Sequence, residues 1–228
     1  MFIRDRLKDY TKAIENFTKS INLNPKFPES FNNRGIAYAE TQKYELAIKD
    51  YNESINLNKF FLSPHLNKAI ALNNSQKVNE AIDCFNTCIK INPKDPSIYN
   101  NLGNLYAKLK KNDQAYEAYG KAINLKNNFS LAYSNRGDLN FNLKKYNFAL
   151  DDYSNALRLN NNLDYVYGKY INTTMYINQW DNFDFNIKKL KEDIKENKKI
   201  INPYYLLYLI DSPELHKQVA QQYSNIKC

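Results

Sequence analysis

Four stretches, FNNRGIAYAE (31–40), HLNKAIALNN (65–74), YNNLGNLYAK (99–108) and YSNRGDLNFN (133–142), recur at a spacing of 34 residues and decide how this chain folds. A second set alternates with them: AIENFTKSINLNP (13–25), AIKDYNESINLNK (47–59), AIDCFNTCIKINP (81–93), AYEAYGKAINLKN (115–127) and ALDDYSNALRLNN (149–161). Within each stretch the apolar residues fall at i, i+3, i+4 and i+7, the stripe of an amphipathic helix. One period therefore holds two helices, A and B, joined as a hairpin.

The columns of this alignment explain why the hairpins close. Gly35, Ala69, Gly103 and Gly137 form one small-residue column, and Ala13, Ala47, Ala81, Ala115 and Ala149 form another; both let helix A approach helix B. Rings fill the space between them: Phe31, His65, Tyr99 and Tyr133 on helix A, and Phe17, Tyr51, Phe85, Tyr119 and Tyr153 on helix B. Burying each ring is worth about 1.5–3 kcal/mol, and a single hairpin cannot do it alone.

Aromatic, Leu-Gly, Tyr, then Ala, Phe or Tyr, Ala and Pro, at this period, resembles the tetratricopeptide repeat (TPR). That resemblance implies an all-α fold, a right-handed α-solenoid of TPR hairpins. The array is expected over residues 1–161, with a partial repeat at 1–27 and full repeats at 28–61, 62–95, 96–129 and 130–163. Ala69 in place of Gly, and a terminal Pro only at Pro25 and Pro93, are local departures.

The ends read differently. Met1 falls inside a repeat, so the first hairpin lacks the front of its helix A. Residues 1–9 then form an irregular lid, or the chain is cut from something longer, or the uncapped edge is a contact surface for self-association. After residue 161 the Ala columns fade. Asp164 to Gln179 still reads as a helix A, a Lys-rich helix runs to about Lys199, and Pro203 and Pro213 divide the remainder, with Ser212 as N-cap of a short last helix. Residues 162–228 are thus a degenerate repeat and helical extension. The succession Trp180-Asp181-Asn182-Phe183, Ile201-Asn202-Pro203, Leu206-Leu207 and Asp211-Ser212-Pro213-Glu214-Leu215 resembles the segment that joins repeats to catalytic lobes in bacterial O-linked N-acetylglucosamine transferase-like proteins. On that resemblance, the chain is the substrate-selecting, non-catalytic part of such an enzyme.

Composition narrows the function classes. The net charge of +8 comes from Lys residues spread along the chain, a pattern of solvated helix faces and not of a nucleic-acid groove. No stretch of about 18 apolar residues occurs, so no membrane span is expected, and a soluble cytoplasmic protein is the expectation. Cys84, Cys88 and Cys228 lack metal-type spacing, and Cys84 and Cys88 read as core thiols. His65 reads as a packing residue and His216 as a lone surface histidine. Asp151-Asp152 reads as a solvent-facing pair, and no nucleotide, zinc-protease or nucleophile motif is present. No cofactor, metal or catalytic residue is expected.

What remains is binding. The family resemblance implies that helix A lines a concave surface, and there Asn33, Asn67, Asn101 and Asn135 recur at the repeat period. Carboxamides donate and accept, so such a ladder can clamp the backbone of an extended peptide. Asn32, Asn100, Asn104, Asp138 and Asn142 are neighbouring candidates. The same column also admits a purely structural reading, as local packing. The Lys and Arg of a chaperone carboxylate clamp are replaced by Asn32, Leu66, Asn100 and Ser134, which disfavours that mode. The expected partner is a protein or peptide.

Overall fold

The computed structural model describes residues 2–227, with side chains for 9–224. Among the described residues the chain is all helix and turn. Its elements are α1 (Phe2–Leu23), α2 (Pro28–Glu40), α3 (Tyr44–Leu57), α4 (Leu62–Asn74), α5 (Val78–Ile91), α6 (Pro96–Lys108), α7 (Asn112–Leu125), α8 (Ser130–Asn142), α9 (Tyr146–Leu159), α10 (Val166–Tyr176), α11 (Phe183–Lys195), α12 (Pro203–Leu209) and α13 (Pro213–Lys227). The chain divides into two compact units, Met1–Ile98 and Tyr99–Cys228. In each, consecutive helices pack as hairpins, the arrangement of an α-solenoid.

The turn between helix A and helix B is made by the backbone. In the first unit Gln42 adopts a left-handed conformation; its N–H bonds to the Ala39 carbonyl at 2.9 Å, and the Lys43 N–H reaches back to Tyr38 at 2.9 Å. This pair of bonds is the Schellman C-cap, which satisfies carbonyls the helix end would otherwise leave open. Gln76, Lys110 and Lys144 repeat the conformation, and Asn178 repeats it once more. The hairpin geometry therefore continues through α10, past the point where the Ala columns fade.

The reverse turn, from helix B to the next helix A, is held by side chains. Asn24, Asn58, Asn92 and Asn160 each accept a hydrogen bond from the backbone N–H two residues on, at 3.1–3.3 Å. These are Asx turns, and they account for the recurrent Asn at the end of helix B.

Small columns and rings meet as the spacing requires. Ala47, Ala81, Ala115 and Ala149 are fully buried. A Cβ added to Gly103 would lie 2.6 Å from Cε1 of Tyr119, and one added to Gly35 would lie 2.6 Å from the same atom of Tyr51. Ala13 and Phe17, by contrast, are only half-buried, since among the described residues no separate helix A packs over α1 from the N-terminal side.

Four expectations are corrected. Residues 2–9 are not an irregular lid but continue α1, so the N-terminal helix runs unbroken through the position where other repeats turn. The last helix, α13, spans 15 residues and is not short. Asp152 does not face solvent: it is 3% exposed, while its neighbour Asp151 is exposed. His216 is half-buried, with Nε2 2.7 Å from the Ile210 carbonyl oxygen.

In the second unit the extension packs onto the last hairpin. Ile171 of α10, Leu190 and Ile194 of α11, Leu206 of α12 and Val219 of α13 form one buried cluster with Ile200 and Ile201. The crossing at 199–201 supplies carbonyls to the start of α10: Tyr165 N–H donates to Lys199 at 2.6 Å and Gly168 N–H to Ile200 at 2.8 Å. Gly168 permits this approach, since a Cβ there would sit 2.6 Å from Ile201.

Candidate functional site

The candidate ladder separates into two sets. Asn32 and Asn100 are buried, at 5% and 6% exposure, and lie in the seams between successive A helices. The Asn67 amide donates to Asn32 Oδ1 at 3.0 Å, and the Asn135 amide donates to Asn100 Oδ1 at 2.9 Å. Asn32 also donates to Asn33 Oδ1 at 3.2 Å. Asn32 and Asn100, expected as neighbouring groove positions, are thus engaged in the seams. Adjacent positions on a helix point about 100° apart, so one asparagine of the pair faces the seam and the other does not.

Asn33, Asn67, Asn101 and Asn135 are half-buried, and Asn104 and Asn142 are exposed. In the second unit Asn104, Asn135, Asp138 and Asn142 line one groove of about 470 Å³ together with Tyr119 and Leu139. Its polar groups are oriented from behind. Tyr119 donates its hydroxyl to Asn104 Oδ1 at 2.8 Å, so Asn104 presents its two N–H donors to the groove. Asp138 is held on both oxygens, by the Tyr153 hydroxyl at 2.7 Å and by Lys169 Nζ at 2.7 Å. Burial, reinforced by the Asp138 charge, holds the Tyr119 and Tyr153 phenols well above their ordinary range, so both remain hydrogen-bond donors.

Lys169 of α10 stands one period of 34 residues beyond Asn135. In its ion pair with Asp138, it is Asp138 that lines the groove.

Two buried ion pairs escaped the sequence reading. Arg34 grips Asp50 through Nε and a terminal nitrogen at 2.7 and 2.8 Å, and Arg136 grips Asp152 in the same two-pronged way, at 2.7 Å for the shortest contact. Each guanidinium also lies over rings, Phe31 and Tyr38 for Arg34, Tyr116 and Tyr133 for Arg136. Both carboxylates are fully engaged, so these pairs are architecture and not a reactive site. The signal that could have found them is the paired recurrence of Arg and Asp sixteen positions apart.

Cys88 is fully buried and burial pushes its thiol up to about 12, and Cys84 is shifted in the same direction, again by burial first. Among the described residues no cluster of His, Cys, Asp and Glu could hold a metal ion, and no helix is long and apolar enough to cross a membrane. Cys228 lies outside the described residues.

Two family profiles match this arrangement. A TPR-repeat profile matches residues 6–42 and 71–110, and a tetratricopeptide-repeat profile matches 28–61 and 96–129. The chain carries tetratricopeptide repeats. Solved TPR structures share the fold. MamA is 24% identical, with a TM-score of 0.61 over 67% of this chain and 89% of its own. YrrB, described as a TPR protein with an unusual peptide-binding site, is 18% identical, with a TM-score of 0.59 over 77% of this chain and 92% of its own. The pilF protein of Pseudomonas aeruginosa is 17% identical, with a TM-score of 0.70 over 89% of this chain and 91% of its own. No curated protein sequence matches. The profile matches stop at residue 129, so they lend nothing to the resemblance between residues 162–228 and a transferase linker.

Proposed function

We propose that the chain is a non-catalytic interaction scaffold that holds an extended protein segment against its A helices. The observation that carries this reading is the groove of about 470 Å³ in which Asn104, Asn135, Asp138 and Asn142 converge. Three of them are oriented by hydrogen bonds, Asn104 by Tyr119, Asn135 by Asn100, and Asp138 by Tyr153 and Lys169, which reduces the ordering cost when a ligand arrives. Carboxamide donors suit backbone carbonyls and do not discriminate side chains, so affinity for extended chain is expected with modest sequence selectivity.

Selection of a random linear peptide library on the full chain is expected to return binders. Joint replacement of Asn104 and Asn142 by Ala should weaken the best of them about tenfold, a hot-spot-sized loss, with helicity by circular dichroism unchanged. Undiminished binding by that double variant, or a library that yields no binder, would overturn the assignment.

A further inference from the structure

The asparagine groove of the second unit has an edge whose charge the ladder does not account for. Beside Asn104, Asn135 and Asn142, its lining includes Lys110, Asn112 and Leu143, which come from the two turns that close the hairpins. Asn112 and Leu143 also line the neighbouring cavity together with Lys145, so the two turns stand side by side. Their sequences match, Leu109-Lys110-Lys111 and Leu143-Lys144-Lys145, and all four lysines are exposed.

The backbone does not ask for lysine there. The left-handed turn position is held by Gln42 and Gln76 in the first unit and by Lys110 and Lys144 in the second, with φ between 58° and 66° at all four. Glycine or asparagine would suit such a φ better than either. What changes from the first unit to the second is therefore charge at constant geometry. In the first unit Lys77, which follows the turn residue, is paired with Glu45 at 2.9 Å. Its counterparts Lys111 and Lys145, and the turn residues Lys110 and Lys144, make no ion pair among the described residues.

Inside the groove the balance is one-sided. Asp138 is the acid of the lining, and Lys169 matches its charge at 2.7 Å. Lys110 is the cation of the lining, and no carboxylate answers it. Asp113 and Glu117 face the neighbouring cavity, where Lys121 and Lys145 face them. The N–H donors of Asn104, turned outward by Tyr119, belong to the same groove as Lys110. A ligand carboxylate would meet a free cation and amide donors there, whereas a ligand ammonium would meet a lysine and an acid already taken. We propose that the segment held in this groove is acidic, with a Glu or Asp side chain of the partner protein paired to Lys110 in the field of Lys111 and Lys144. This preference rests on the reading of the groove as a holder of extended chain, and adds side-chain selectivity to it. Polypeptide fits better than nucleic acid, because the ring in the lining, Tyr119, is buried and offers no face to a base.

Three blocked peptides that share a Ser-Thr host and carry Glu, Gln or Lys at alternate positions test this by titration calorimetry on the full chain. The Glu peptide is expected to bind about tenfold more tightly than its Gln isostere, and the Lys peptide more weakly than either. The Glu advantage should shrink between about 50 and about 300 mM salt, since exposed charges are screened. Lys110→Gly, which leaves the backbone bonds of the turn in place, should cost the Glu peptide about threefold and the Gln peptide nothing. Joint replacement of Asn104 and Asn142 by Ala should weaken all three alike. Equal affinity for the Glu and Gln peptides, or a Glu preference that survives Lys110→Gly combined with Lys144→Gly, would overturn the acidic preference while the holding of extended chain stands. Binding of none of the three would remove the groove as a peptide holder, and the preference with it. A single-stranded oligonucleotide that binds more tightly than the Glu peptide would also overturn it, since the edge would then be a general polyanion site.

Discussion

The hairpin of α6 and α7 and the hairpin of α8 and α9 share a backbone plan but solve one packing position in opposite ways. At the columns where the later hairpin buries Arg136 against Asp152, the earlier one buries Leu102 and Ala118, at 5% and 7% exposure. Arg34 and Asp50 repeat the ionic solution in the first unit, and Lys68 with Cys84 supplies a third combination. The two columns change together in every full repeat. The buried carboxylates Asp50 and Asp152 each face an arginine, whereas the neutral residues Cys84 and Ala118 in their column face no arginine: a buried carboxylate needs its cation, and an apolar pair needs none.

The largest expected effect breaks that pairing. Asp152→Ala leaves Arg136 in a half-closed site without its carboxylate and strips Asn140 of an acceptor at 3.0 Å, so the urea midpoint should fall by the equivalent of about 3 kcal/mol. The double change Arg136→Leu with Asp152→Ala copies the α6–α7 solution and should recover most of the loss. A double variant no more stable than the single one would show that the two hairpins are not interchangeable at these columns.

A smaller effect sharpens what the hairpins have in common. Gly103 and Gly137 both face a tyrosine ring, and the Cβ of an alanine at 103 would sit 2.6 Å from Tyr119. Gly103→Ala forces that ring to move and loosens its bond to Asn104, at an expected cost of about 1–3 kcal/mol in thermal or urea unfolding. Because Ala69 occupies the same column opposite Phe85, which has no hydroxyl to hold, Ala69→Gly should gain little.

How much of this could be read in the letters follows from the same comparison. The array was legible because Gly, Ala and ring columns recur in nearly every period, and packing between repeats punishes any change in them. The ion pairs were not, since Arg and Asp occupy their columns in only two of the full repeats and Asp152 looks like any helix-surface acid. Asn32 and Asn33 are the same letter on different sides of one helix, and only the bond from Asn67 tells them apart. The fifth hairpin turn at Asn178 carries no glycine to announce it. In the groove, Asn135 is nameable from its period and Asn104, Asp138 and Asn142 only as positions neighbouring that ladder, whereas the tyrosines that orient two of them read in the sequence only as core rings.

The turn residues allow the comparison to be tested where the two hairpins should agree. Lys110 and Lys144 both hold φ of 58° at the Schellman position, a conformation that costs a residue with a Cβ about 1–2 kcal/mol and costs glycine almost nothing. Glycine gives part of that back through its freer unfolded chain, so Lys144→Gly should stabilise by only about 0.5 kcal/mol. Lys144 is exposed, and the turn bonds at 2.9 Å run through backbone atoms that the substitution leaves alone. Lys110→Gly should therefore give the same small rise in urea midpoint, although its hairpin has no buried ion pair. Unequal gains would mean that the chemistry at the paired columns reaches the turn, and that the shared backbone plan is less independent of its filling than the matching φ values indicate.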